Sequence, residues 1–196
     1  DFPHAEWTAA EPADEFSGCE SGVTPLMVAS RHNNLPAVRA LLAAGRPVDS
    51  VSSNGCSALY MAAEEGHEAC VSLLLDKDAS PTMECKDKGE KNGCTALFRA
   101  CQNGRDTVVP LLLKAGADQQ TTRADGFTCL MTAVQSGYAT VVAALTEFGG
   151  SSPDATRADG VTALLLASRN GQHSCVQMLL AGTATASWAV PEPQDA

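Results

Sequence analysis

Apolar residues recur along this chain in pairs of short stretches, each pair split by a turn and closed by another. The stretch from Asn92 to Asp118 is the clearest copy. It opens with Asn92-Gly93, a tight-turn signal. Cys94 to Cys101 follows, with Leu97 and Ala100 spaced for one face of a helix. Gly104 interrupts the pattern. Thr107 to Leu113 then carries valines and leucines at helical spacing, and Gly116-Ala117-Asp118 closes the unit, with glycine where a helix C-terminus favours it. Two short helices of this kind cannot bury their apolar faces alone, so the pattern predicts neighbours of the same shape.

Those neighbours are present. Turn glycines fall at Gly22, Gly55, Gly93, Gly126 and Gly160, at spacings of 33, 38, 33 and 34 residues. A period near 33 marks a stacked repeat array. Four residues after each glycine stands a leucine (Leu26, Leu59, Leu97, Leu130, Leu164), and seven after it an alanine (Ala29, Ala62, Ala100, Ala133, Ala167). The leucine makes an inward knob, and the alanine lets the next helix come close. Val38, Val71, Val109, Val142 and Val176, with Leu41, Leu74, Leu112, Leu145 and Leu179 three residues on, place one apolar stripe on each second helix.

With these motifs the chain resembles the ankyrin repeat family. Thr24-Pro25-Leu26, Gly66-His67, Leu73-Leu74-Leu75, Leu111-Leu112-Leu113 and Gly116-Ala117-Asp118 match the family pattern directly. The resemblance covers about five units between Cys19 and Gly182. It implies an all-α solenoid of stacked helix-turn-helix units with short hairpin-like loops, and a non-catalytic scaffold or adaptor role in binding a partner protein. The family's Thr-Pro-Leu-His histidine, which hydrogen-bonds neighbouring repeats, is replaced here by Met27, Tyr60, Phe98, Met131 and Leu165. Apolar packing is expected in its place.

The domain organisation follows. Residues 1–16 form an acidic arm, 17–182 the repeat domain and 183–196 a tail. The repeats span 19–50, 51–82, 89–121, 122–155 and 156–182, with an insertion at 83–91 within which the spacing of 38 leaves about five extra residues. Extra residues belong in a loop between units, so the insertion is expected to project as a longer finger. Thr24 is read as a helix N-cap with Pro25 in the first turn. Asn33-Asn34 replaces the usual Gly-His, and Asp78 stands where glycine is expected. Pro110 requires the second helix of the third repeat to begin near Asp106, since proline is tolerated only in a first turn. No polar capping repeat is visible at either end. Met178 and Leu179 are expected to face outward unless the tail folds back. Trp7 and Trp188, one in each flank, are expected to cap the repeats or contact a partner.

Composition narrows the function. The formal net charge is −10, with five acids and no Lys or Arg in residues 1–16. No basic stripe exists to hold nucleic acid, and no run of about 18 apolar residues exists to cross a membrane. The eight cysteines include no C-x-x-C pair, and most occupy repeat positions taken elsewhere by Val, Ala or Pro. They read as small apolar residues of an intracellular, reducing compartment, most simply the cytoplasm. With Asp1 rather than Met at its head, an organelle interior stays open. The histidines His4, His32, His67 and His173 supply no nucleophile–base arrangement. His67 with Cys70, or His173 with Cys175, gives two metal ligands where a zinc site needs more. No phosphate-cradling glycine loop occurs. No cofactor and no metal are expected.

What remains is a surface. The residue after each turn glycine forms an apolar row, Val23, Cys56, Cys94, Phe127 and Val161. The end of each first helix adds a polar row that includes Arg31, Glu64, Glu65, Gln102, Gln135 and Arg169. An apolar centre inside a polar rim is interface anatomy, and Phe127 is the expected anchor. The competing reading packs the tip residues between adjacent hairpins. Two further readings of the whole chain stay open: a structural subunit of a large assembly held by its flanks, and a regulatory array cut from a longer enzyme or channel.

Overall fold

The computed structural model describes residues 22–85, 93–123, 125–152 and 154–185. The acidic arm, most of the insertion and most of the tail, with Trp7, Cys19 and Trp188, lie outside the described residues. Among the described residues five helix pairs follow one another. They are α1 (Pro25–Arg31) with α2 (Leu35–Ala43), α3 (Ala58–Glu65) with α4 (Glu68–Leu75), and α5 (Ala96–Gln102) with α6 (Val108–Lys114). Then come α7 (Cys129–Ser136) with α8 (Ala139–Glu147), and α9 (Ala163–Arg169) with α10 (His173–Thr185). A two-stranded ladder, β1 (Glu84–Cys85) with β2 (Cys94–Thr95), precedes α5. First helices stack in series, α1 on α3, α3 on α5, α5 on α7 and α7 on α9, and the second helices form a parallel outer layer.

Each first helix starts for the same reason. Thr24, Ser57, Thr95, Thr128 and Thr162, two residues past the turn glycine, accept a backbone N–H three residues on at 3.1–3.3 Å. That satisfies one of the orphan donors of the first turn. Pro25 and Pro36 lie in the first turns of α1 and α2. Pro110 is the third residue of α6, whose N-cap is Thr107, so it too falls in a first turn.

Between the two helices of each pair one residue adopts the left-handed conformation: Asn33, Gly66, Gly104, Gly137 and Gly171. After the second helix Gly45, Asp78, Gly116 and Gly149 do the same. The two places where the sequence departs from glycine are therefore filled by Asn and Asp, the side chains that tolerate this region best. At Gly104 the constraint is also steric, because a Cβ there would lie 2.6 Å from the Tyr138 ring of the next repeat.

The core is one continuous stack. Met27, Tyr60, Phe98 and Met131 are buried beneath the following repeat, so apolar packing replaces the family histidine as expected. The series breaks at the last pair. Leu164 is 38% and Leu165 56% exposed, whereas their equivalents in the first four pairs are at most 2% exposed. The expectation that Met178 and Leu179 both face outward is half corrected: Met178 is exposed and Leu179 is buried. Leu179 continues the column of Leu74, Leu112 and Leu145 against the first-helix layer, and the 100° step of a helix turns its neighbour away. Helix α10 also runs to Thr185, three residues into the segment read as tail.

Successive hairpins keep one register. Val51 bridges Ser57, and Thr122 bridges Thr128, in the manner that Glu84 pairs with Thr95. Ser52, Cys85 and Arg123 thus occupy equivalent places, and the additional residues of the insertion fall between Cys85 and Cys94. The ladder restores the register on both sides of them.

Asp78 is exposed and closes α4 through its own N–H, which donates to the Leu75 carbonyl at 3.0 Å. Its side chain makes no contact that the turn requires. Asp78→Gly is therefore expected to raise stability by about 0.5–1 kcal/mol, since the left-handed residue loses its Cβ penalty. Asp78→Val should lower it. Urea denaturation midpoints of the three proteins check both signs.

Candidate protein-binding face

The C-terminal ends of the first helices line one side of the stack, and the next repeat reaches back to each of them. His67 Nε2 donates to the Arg31 carbonyl at 2.8 Å. Arg105 Nε donates to the Glu64 carbonyl at 3.0 Å, beside Asn103 Nδ2 at 2.9 Å. Gln172 Nε2 donates to the Gln135 carbonyl at 3.3 Å. His67, Arg105, Tyr138 and Gln172 all stand twelve residues after their turn glycine. One register position thus ties each pair to the last, with Tyr138 covering Gly104 where the others donate a hydrogen bond. Capping the final carbonyls of a helix in this way satisfies acceptors that water would otherwise hold.

Side chains on this face divide into two sets. Glu64 pairs with Arg99, and each side chain is only 15% exposed. Arg99 Nη1 also donates to Gln102 Oε1 at 2.6 Å. This ion pair joins the second and third repeats and holds Glu64 and Gln102 in place. Arg31 Nε lies 3.7 Å from Glu65 Oε1 in a solvent-screened pair across the first and second repeats. Such exposed pairs contribute little. Gln135 and Arg169 are exposed beyond them. The exposed Arg31, Gln135 and Arg169, with the half-buried Glu65, therefore span the stack as a polar row.

The apolar tip row is corrected. Cys56, Cys94 and Phe127 are buried, and Val23 and Val161 are partly buried against the core. Cys56 meets Cys85, and Phe127 meets Arg157, each from the following hairpin. The Arg157 guanidinium sits 4.4 Å from the centroid of the Phe127 ring, and Arg123 sits 5.4 Å from it. Both are the arginines of the Arg-Ala-Asp-Gly turns. Each also meets its own acid, Arg123 Nε donating to Asp125 Oδ1 at 2.9 Å and Arg157 Nη2 lying 3.5 Å from Asp159 Oδ2. Desolvated cation–ring contacts of this sort contribute about 1–2 kcal/mol. Phe127 is thus an internal clamp between the fourth and fifth hairpins, buried rather than presented as an exposed tip. Arg99 was not legible as part of the face, because its place between the inward leucine and alanine columns reads as core.

The thiols are equally withdrawn. Burial pushes Cys94 up to about 11, against the smaller opposing pull of Arg99 and Arg123. Burial and the adjacent Cys129 hold Cys101 well above the usual thiol range, and burial raises Cys70 and Cys175. His67 and Cys70 face different partners: Cys70 Sγ donates to Asn33 Oδ1 at 3.3 Å. Among the described residues no three or more His, Cys, Asp or Glu side chains are grouped to hold a metal ion, and no helix is long and apolar enough to cross a membrane.

A family model described as ankyrin repeats in three copies matches residues 5–85, 26–123, 82–156 and 116–187. Comparison with curated proteins returned no match.

The raised thiols fix a sign for alkaline stability. An unfolded chain ionises its cysteines near pH 9, while folded Cys94 keeps its proton until about 11. Stability is therefore complete below about pH 9 and is lost as the pH climbs towards 11. Urea midpoints measured under reductant are expected to fall between pH 8 and pH 10.5; a flat profile would contradict the burial assigned to these side chains.

Proposed function

This chain belongs to the ankyrin repeat family, and from that premise we propose that it is a non-catalytic adaptor or scaffold that grips a partner protein along the ends of its first helices. Ankyrin repeats are in general protein–protein interaction modules. The observation that carries the reading is the polar row of exposed Arg31, Gln135 and Arg169 with half-buried Glu65, held on a rigid layer by the register bonds beneath it. Rigid presentation limits the ordering cost of association. Arg31 and Arg169 put a cation at each end of the row, which suits a partner segment with acidic groups at its two ends and polar groups between. The buried tips lend no apolar centre, so partner contacts on this face are polar.

A second reading rests on the apolar end of the stack. Leu164 and Leu165 are exposed where their equivalents in every earlier pair are buried, and Met178 is exposed as well. Such an end is a surface to be covered, by the Trp188 flank or by a neighbouring subunit.

Each reading has its own test. Arg31→Ala with Arg169→Ala is expected to reduce partner recovery from the native source at least ~10-fold with the melting temperature unchanged, since exposed charges on a fixed surface act on binding rather than folding. Arg39→Ala with Glu147→Ala, on the outer helices, serves as the control. A loss confined to the control pair would move the contact off the proposed face. Trp188→Ala is expected to lower the melting temperature by about 2–4 °C, the shift of ~1 kcal/mol in a chain of this size. No shift would assign the cover to a separate subunit.

A further inference from the structure

None of the seven described cysteines is in a disulfide. Yet Cys56 Sγ and Cys85 Sγ lie 3.0 Å apart, closer than the contact distance of two unbonded sulfurs, and 29 residues apart in sequence. We propose that Cys56 and Cys85 are an oxidisable pair whose disulfide ties the hairpin of the second repeat to that of the third. The seating is imposed by the stack. Cys85 occupies the hairpin position of Arg157, and Cys56 the tip position of Phe127. The contact between the two thiols therefore repeats the contact that brings Arg157 to 4.4 Å from the Phe127 ring. Two local bonds fix the sulfurs further. Cys85 Sγ donates to the Asn54 carbonyl at 3.2 Å, and the Cys56 N–H donates to Ser52 Oγ at 3.2 Å.

Closing the sulfurs to a bond of about 2.05 Å needs a movement of about 1 Å. The ladder that carries Cys85 has only two residues per strand, so it yields and opens more readily than a helix. That opening also admits the oxidant to two buried thiols. Cys101 and Cys129 are also in contact, but on the packed helices α5 and α7, which hold them apart from any oxidant. Cys94, directly across the ladder from Cys85, is the competing partner within the third hairpin.

The oxidant is a peroxide. One thiolate attacks a peroxide oxygen, the O–O bond breaks, and the departing hydroxide takes a proton to leave as water. The resulting sulfenic acid is attacked by the second sulfur, the S–S bond forms, the S–O bond breaks and a second water leaves. Two thiols thus give two electrons and two protons to one hydrogen peroxide.

The test uses the full chain, purified under reductant, desalted and treated with hydrogen peroxide. Thiols titrated in denaturant are expected to fall from eight to six and to return to eight with dithiothreitol. Digestion with trypsin and chymotrypsin, the latter cutting after Tyr60 to separate Cys56 from Cys70, should yield a linked peptide joining Cys56 to Cys85. Closing this loop should raise the melting temperature by about 5 °C. Cys94→Ser should keep the link. Cys56→Val, which places at this tip the residue found at Val23 and Val161, should abolish both the link and the rise. An unchanged titre of eight, a link from Cys85 to Cys94 or from Cys101 to Cys129, or over-oxidation of Cys56 without a link would each overturn the proposal.

Discussion

The structure rests on a deficit of interior. A pair of helices mostly seven to nine residues long has one apolar face more than it can cover, so each pair lends that face to the next. Met27, Tyr60, Phe98 and Met131 are buried only because a further pair lies on them. Leu165 shows the same position without its cover. Stability in such an array is a sum of intrinsic and nearest-neighbour terms, so the interfaces between repeats carry the fold. The alanine column lets the first helices approach, and the left-handed residue between helices turns the chain back sharply enough for the next slab to sit flat.

Polar groups follow that apolar stack rather than direct it. The residue twelve past each turn glycine falls beside the end of the preceding first helix. Histidine, arginine and glutamine there all find the same carbonyl. Tyrosine at that position finds a glycine instead. One backbone geometry thus accepts several chemistries, which frees the outer tips of the first helices to vary. The Glu64–Arg99 pair adds direction between the second and third repeats: mostly withdrawn from water, it penalises a slipped register by leaving a charge without its partner.

Much of this was legible in the sequence, and the boundary has physical causes. The leucine, alanine and valine columns gave the repeats because buried positions in an array see one environment four or five times over. Thr24 read as a cap and Pro110 as a first-turn residue for local reasons, and both stand so. The tip row misled. Val23, Cys56, Cys94, Phe127 and Val161 are apolar at a position the hairpin makes prominent, but whether a prominent tip meets solvent depends on the following hairpin. Arg157 and Cys85 decide that from more than 28 residues away. Arg99 was missed for the mirror reason: a charged residue among core columns gains its meaning only from Glu64 across the interface. Leu179 and Met178 were read together, although one residue along a helix separates inside from outside.

The insertion between Cys85 and Cys94 enters and leaves through paired strands whose register matches the uninterrupted hairpins. Length added there is invisible to the slabs on either side. The second-to-third hairpin is thus the chain's graft point: a foreign epitope, a tether or a whole folded module entering between those strands would ride on the array without asking it to re-phase.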